Sequence, residues 1–134
     1  QKDKQHILSQ ENAAIIVSNI LKKTHEVTAL FCINDYVAFR ITEAIQKSGL
    51  NIPDDLSICG FDNLHYLPEQ SMELATVEQD FSKIGKISVE LIIKLIDGEN
   101  NITTDNIIET RLIKGRTVKK AIKKESFNWF FFCI

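Results

Sequence analysis

Two polar clusters in this chain each follow an apolar run, and their residue types suit recognition of a hydroxylated small molecule. Asn34-Asp35 ends the run Thr28–Ile33, and Asp62-Asn63 ends the run Leu56–Phe61. Asn34 carries a donor and acceptors, so it can read a hydroxyl from either side. An ionised Asp62 is acceptor-only and makes charge-assisted bonds to hydroxyl donors. Gln79 adds a second two-sided amide just after a third short run, Leu74–Val77. Each has a plainer alternative. Asn34 could simply cap a helix, and Asp62 could simply end a strand. Asp35 reads better as a helix cap than as a ligand contact, because it immediately precedes a helical stripe. Phe61 could be pure core, and His65 is a lone loop histidine.

The elements that must position these groups are readable from periodicity. Ser9 can cap a helix whose stripe is Ala13, Ile16, Val17, Ile20 and Leu21. Lys22, Lys23 and His25 crowd its end, where positive charge suits the helix dipole. Thr28–Ile33 and Leu56–Phe61 are continuous apolar runs of the kind found in parallel strands buried on both faces. Between them, Val37, Ala38, Ile41, Ala44 and Ile45 make a helical stripe that Ser48-Gly49 stops, and Asn51-Ile52-Pro53-Asp54-Asp55 signals a turn. This strand–helix–strand unit places the polar clusters where parallel strands end, the edge at which open α/β sheets bind small ligands. Gly60 suits a point where backbone or ligand comes close. After an irregular stretch over 62–73 and the strand Leu74–Val77, Ser82–Ile96 reads as a helix closed by Asp97-Gly98, which offers a left-handed C-cap. Ile107–Ile113 reads as a last strand.

Composition narrows the classes. The chain has 134 residues, 44% hydrophobic and 25% charged, with a net charge of −2. That describes one ordinary globular domain, not a nucleic-acid-binding polycation and not a membrane span. No leader-like run opens the chain, although Gln1 in place of Met makes this a weak guide to export. Three cysteines lie far apart, two of them inside strand runs, so a reduced cytoplasmic setting fits best. His6, His25 and His65 form no ligand cluster with them, so neither metal nor cofactor is expected. The sequence has no GxSxG elbow and no Gly-rich phosphate loop, and Asp54-Asp55 beside Pro53 is better explained as a turn than as a catalytic pair, which argues against an enzyme. Lys114, Arg116, Lys119, Lys120, Lys123 and Lys124 make a basic stretch, followed by Phe127-Asn128-Trp129-Phe130-Phe131-Phe132. It reads as a solvated segment ending in a sticky terminus or a buried anchor, since no companion motif supports nucleic-acid or membrane contact.

These motifs, taken in order, resemble the LacI/GalR-type transcriptional regulators. Thr28–Asp35 looks like that family's strand ending in ND, and Asn51–Asn63 is similar to its VPxDxSVxGFDD segment. Leu74–Phe81 followed by Ile84-Gly85 looks like LTTVxQxxxxxG, and Ile107–Arg116 resembles the closing L-x-x-R-x-S/T strand, here with Arg116-Thr117. The match runs colinearly over about residues 9–117.

The resemblance implies an α/β fold with a parallel sheet flanked by helices, the C-terminal lobe of a periplasmic-binding-protein type I-like sensor. Residues 1–118 would be the C-terminal portion of an effector-binding and dimerisation domain, with 81–101 crossing into an N-terminal lobe that has no counterpart here. Residues 119–134 would be a basic then aromatic tail. The crossover helix would then carry an apolar stripe that needs covering by oligomerisation, by exchange or by the aromatic tail. In the family, positions matching Asn34, Asp62 and Gln79 line the sugar pocket, and those matching Phe61 and Phe81 lie near it. Asn63 departs from the commoner second Asp. Tyr36, Val37, Phe39, Arg40, Tyr66 and Leu67 match segments at the dimer interface. The function implied is effector sensing by a bacterial repressor. Its partners would be a sugar or sugar phosphate, operator DNA reached through a domain absent from this chain, and a second copy of itself. A solute-binding protein of a sugar transporter is the alternative, since it shares the lobe architecture.

Overall fold

In the computed structural model, residues 9–22, 27–65, 73–99, 103, 105–120 and 132–133 are described. The elements run α1 (Gln10–Leu21), β1 (Ala29–Phe31), α2 (Asp35–Lys47), β2 (Ser57–Asp62), β3 (Ala75–Glu78), α3 (Phe81–Ile96), β4 (Arg111–Ile113) and β5 (Phe132–Cys133). They build a sheet in the order β4-β3-β2-β1-β5. β1, β2 and β3 are mutually parallel, β4 is antiparallel to β3, and β5 is parallel to β1. The α/β class and its mostly parallel sheet are as the sequence implied.

Helix boundaries follow the local chemistry. Ser9 caps α1 by accepting the Asn12 N–H, and Asn34 caps α2 by accepting the Val37 N–H at 2.9 Å. Ser48 is the C-cap of α2, followed by Gly49 at φ 83°, and Asp97 is the C-cap of α3, followed by Gly98 at φ 78°. Both glycines occupy the left-handed region that lets a helix stop sharply. α3 starts one residue before the expected Ser82, because the Asp80 carboxylate accepts the Lys83 N–H at 2.8 Å and sets the cap there.

The core gathers Ala13, Val17 and Ile20 of α1, Ala38, Ile41 and Ile45 of α2, Leu30, Cys32 and Ile58 of the two inner strand segments, and Leu56 before β2. Burial along the strands is uneven. Leu30, Cys32 and Ile58 are buried, whereas Phe31, Cys59 and Phe61 are half-buried and Ile33 is exposed. The continuous apolar runs are thus less enclosed than two-sided burial would require. Phe31 and Phe61 meet edge-on across the sheet, with ring centroids 6.3 Å apart.

Two parts of the chain depart from the simplest reading. The tail is not wholly detached: Phe132-Cys133 adds a fifth strand alongside Leu30-Phe31. Lys119, within the basic stretch, is held at the start of β2, where its N–H donates to Ser57 Oγ and its ammonium reaches the Asp54 carbonyl. Lys123, Lys124 and the aromatic run over 127–131 lie outside the described residues. The second departure is α3, which buries none of its residues. Ile84, Ile87 and Leu91 line an open groove of ≈ 340 Å³ opposite Asn106, Ile108, Glu109 and Thr110. Phe81, Val89, Ile92, Ile93, Leu95 and Ile96 are each more than half exposed.

Candidate functional site

The parallel strands β1, β2 and β3 deliver Asn34, Asp62 and Gln79 to one edge of the sheet, since each residue stands at or just past a strand's C-terminal end. Gln79 Nε2 donates to Asp62 Oδ1 at 2.6 Å. Two of the three residues expected to read a ligand are therefore already joined, with the second carboxylate oxygen of Asp62 left as an acceptor. Asn34 is the cap the sequence allowed. Its Oδ1 caps α2, which leaves the amide NH₂ as a fixed donor. Capping uses Oδ1 alone, so a contact through the NH₂ would not compete with it.

Phe61 is half-buried beside Asp62, and Phe81 is exposed at the first turn of α3. On α2, Tyr36, Phe39 and Arg40 are half-buried, and Arg40 pairs with Glu43 at 2.7 Å. Val37 packs against the core cluster. Tyr66 and Leu67 lie outside the described residues. His65 is exposed.

Asp35 corrects the sequence reading. Asn34, not Asp35, is the cap. Asp35 is the first residue of α2 and only 3% exposed. Its carboxylate accepts the Leu64 N–H at 2.8 Å and the Thr76 hydroxyl at 2.5 Å. It ties α2, the loop after β2 and β3 together, and its charge sits favourably at a helix N-terminus. This also explains Gly60, where a Cβ would overlap Asp35 Oδ1. The close approach foreseen at Gly60 is made by a side chain of the protein.

A second carboxylate supports the same loop from the other side. Glu78 accepts from Asn63 Nδ2 at 2.8 Å, and Arg111 of β4 donates Nε and a terminal nitrogen to Glu78 at 2.9 and 2.6 Å. Asn63 is thus committed within the chain, in line with its departure from the family's second Asp. Asp62 and Asn63 both have positive φ, 96° and 54°, a conformation that costs energy unless its surroundings enforce it. No local sequence signal announces these bonds, because the partners of Asp35 and Glu78 lie on other elements.

The Asn63 amide, and then the Arg111 guanidinium, hold the Glu78 carboxyl below the usual glutamate range, against a weaker upward push from burial. A carboxyl depressed in the folded state contributes stability above its unfolded value and loses it as pH falls through the folded value. The bonds of Glu78 to Asn63 and Arg111 are therefore expected to hold at neutral pH and to be lost only in the acid range. Carbon NMR of the Glu78 carboxyl should show a midpoint that moves upward in Arg111→Gln. An unmoved midpoint would show that Arg111 does not hold the group.

Burial, and secondarily the charge of Asp35, push the Cys59 thiol up, so it is a poor thiolate. Cys32 is fully buried. Among the described residues no group of three His, Cys, Asp or Glu side chains could hold a metal ion, and no helix is long and apolar enough to cross a membrane.

The family model described as periplasmic binding protein-like domain matches residues 3–118. The HTH-type transcriptional repressor PurR of Vibrio campbellii is 29% identical over 110 residues, covering 82% of this chain and 33% of that protein. The ribose operon repressor of Haemophilus influenzae is 34% identical over 108 residues, covering 81% of this chain and 32% of that protein. Among solved structures, the lac repressor dimer bound to operator and the anti-inducer ONPF is 26% identical with a TM-score of 0.70, covering 82% of this chain and 38% of that one. The chain spans about a third of the length of the curated relatives it matches.

Proposed function

This chain belongs to the periplasmic binding protein-like family, as the sensor part of LacI/GalR-type transcriptional regulators, and on that premise we propose that it forms one lobe of an effector-binding domain controlling operator binding. The observation that carries this reading is the convergence of Asn34, Asp62 and Gln79 on one sheet edge, with Asp62 and Gln79 already bonded. A fixed amide donor, a free carboxylate oxygen and a second amide suit a ligand rich in hydroxyls. The half-buried Phe61 and exposed Phe81 offer aromatic faces for the apolar side of a sugar ring. A sugar or sugar phosphate is the effector class we favour, and the role is binding rather than catalysis. The relatives are transcriptional repressors, which favours a cytoplasmic regulator over a transporter's solute-binding protein.

The remaining assignments follow from the same reading. Residues 1–118 form the lobe, 81–101 cross to the other lobe, and 119–134 form the tail. The exposed face of α3 packs in the full-length protein against the second lobe. Tyr36, Phe39 and Arg40, with Val37 at the margin of the core and Tyr66 and Leu67 beyond α2, contribute to a homodimer whose two-fold axis matches paired operator half-sites. Operator contact belongs to another domain. An effector shifts operator affinity only by its differential affinity for the two lobe arrangements.

The test is operator binding by the full-length protein titrated with pentoses, hexoses and their phosphates. At least one should change operator affinity. A protein that binds operator-like DNA with no effector response, or does not bind DNA, would sink the proposal. The isolated 134-residue chain should bind the same effector weakly. A sensor of about micromolar affinity has about −8 kcal/mol, and keeping half of that leaves about millimolar binding. Calorimetry showing tight, stoichiometric binding by this chain alone would contradict the two-lobe reading.

A further inference from the structure

We infer that Asp35 and Glu78 are positioning residues, two carboxylate clamps that hold the Asp62–Leu64 loop in the conformation that presents Asp62 at the sheet edge. The inference rests on the reading of Asp62 as a ligand contact. Asp62 and Asn63 are consecutive non-glycine residues at positive φ, which only an over-determined environment maintains. That environment has two anchors. On one side the buried Asp35 takes the Leu64 N–H and the Thr76 hydroxyl. On the other, Glu78 takes the Asn63 side-chain amide and is itself forked by Arg111.

The two anchors differ in what they link. Asp35 joins the loop to the α2 N-terminus and to β3, and Gly60 makes room for it. Glu78 joins the loop to β4 through Arg111, so the strand that returns after α3 is connected to Asp62 through three side chains. Movement of β4 relative to β3 would release Glu78, then Asn63, then Asp62. Neither anchor has to touch a ligand to change how one is bound.

The test needs no ligand. In Asp35→Ala, amide exchange at Leu64 should accelerate by about tenfold or more, the loss of a charge-assisted bond, and the Gln79 side-chain amide signal should move toward its free position. Asp35→Asn should restore both, because Asn can accept from Leu64 while donating to the Thr76 hydroxyl. Glu78→Ala, at a half-buried site outside the apolar core, should fold normally and accelerate exchange across Asp62–Leu64. The control Glu43→Ala, which breaks the Arg40 pair on α2, should leave the loop unchanged. Unaltered exchange at Asp62–Leu64 in Glu78→Ala, or failure of Asp35→Asn to restore a folded Asp35→Ala protein, overturns the clamp. Loop loosening in these variants without any effector response from the full-length wild type upholds the clamp and overturns the ligand reading.

Discussion

Thr117→Val is expected to destabilise this chain by about 1–3 kcal/mol, the cost of leaving buried polar groups unpartnered. Thr117 has 0% exposure, although it lies outside the strands, between β4 and β5. Its hydroxyl donates to the Ile58 carbonyl at 2.7 Å and accepts the Ala75 N–H at 2.9 Å, and its own carbonyl accepts the Ile58 N–H at 2.8 Å. One residue thus joins β2 to the start of β3. Val matches Thr in shape, so packing survives while a partner is stripped from each strand. Serine keeps the hydroxyl, so Thr117→Ser should recover most of the loss. Gly115→Ala tests the same seam sterically: an added Cβ would overlap backbone atoms of Glu73, Leu74 and Ala75. Overpacking of this kind costs about 1–3 kcal/mol, occasionally more, and backbone yields less readily than a side chain. Urea midpoints for the three variants decide the matter. A wild-type midpoint for Thr117→Val would show that the hydroxyl is replaceable.

Residues Arg116-Thr117 show what a sequence can and cannot say. They are legible as a motif at the end of the closing strand, but the motif carries no reason for Thr. The reason is a pair of bonds to positions 59 and 42 residues away in the chain, and no local pattern encodes such a contact. The same distinction runs through the site. Caps, stripes and glycine stops are short-range physics, so Ser9, Asn34, Gly49 and Gly98 are readable directly. Asp35 reads as a cap because local capping chemistry is the strongest signal available to an acid before a helical stripe. In the folded chain the preceding Asn34 takes that role, and Asp35 is turned inward to partners 29 and 41 residues away. Glu78 carries no signal of its own, since its importance comes from the register that sets it opposite Arg111. The α3 stripe is legible as apolar, yet nothing within the described residues buries it, which is what a surface built for a further element looks like.

The edge of the sheet supplies the prediction with the greatest functional reach. Asp62→Asn is expected to raise the effector concentration needed for half-maximal response by about 10–150-fold in the full-length protein, the loss of about 1.5–3 kcal/mol for a hydrogen bond to a charged group. Asparagine is the informative replacement because it tolerates the positive φ of this position better than most residues. Backbone geometry is then largely kept while the charge is removed. One Asp62 oxygen is already occupied by Gln79. The substituted amide must therefore either face Gln79 with its NH₂, donor against donor, or turn that NH₂ toward the ligand hydroxyl that the carboxylate accepted. Both arrangements lose a charge-assisted bond. Operator affinity without effector should stay at the wild-type level, since Asp62 is part of the ligand edge and not of the apolar core. That split separates a ligand contact from a structural residue: a role confined to ending β2 would lower operator binding and stability together and leave the effector midpoint where it was. An unchanged midpoint in Asp62→Asn would remove Asp62 from the site and leave Asn34 and Gln79, two neutral amides, to recognise the ligand without a charge.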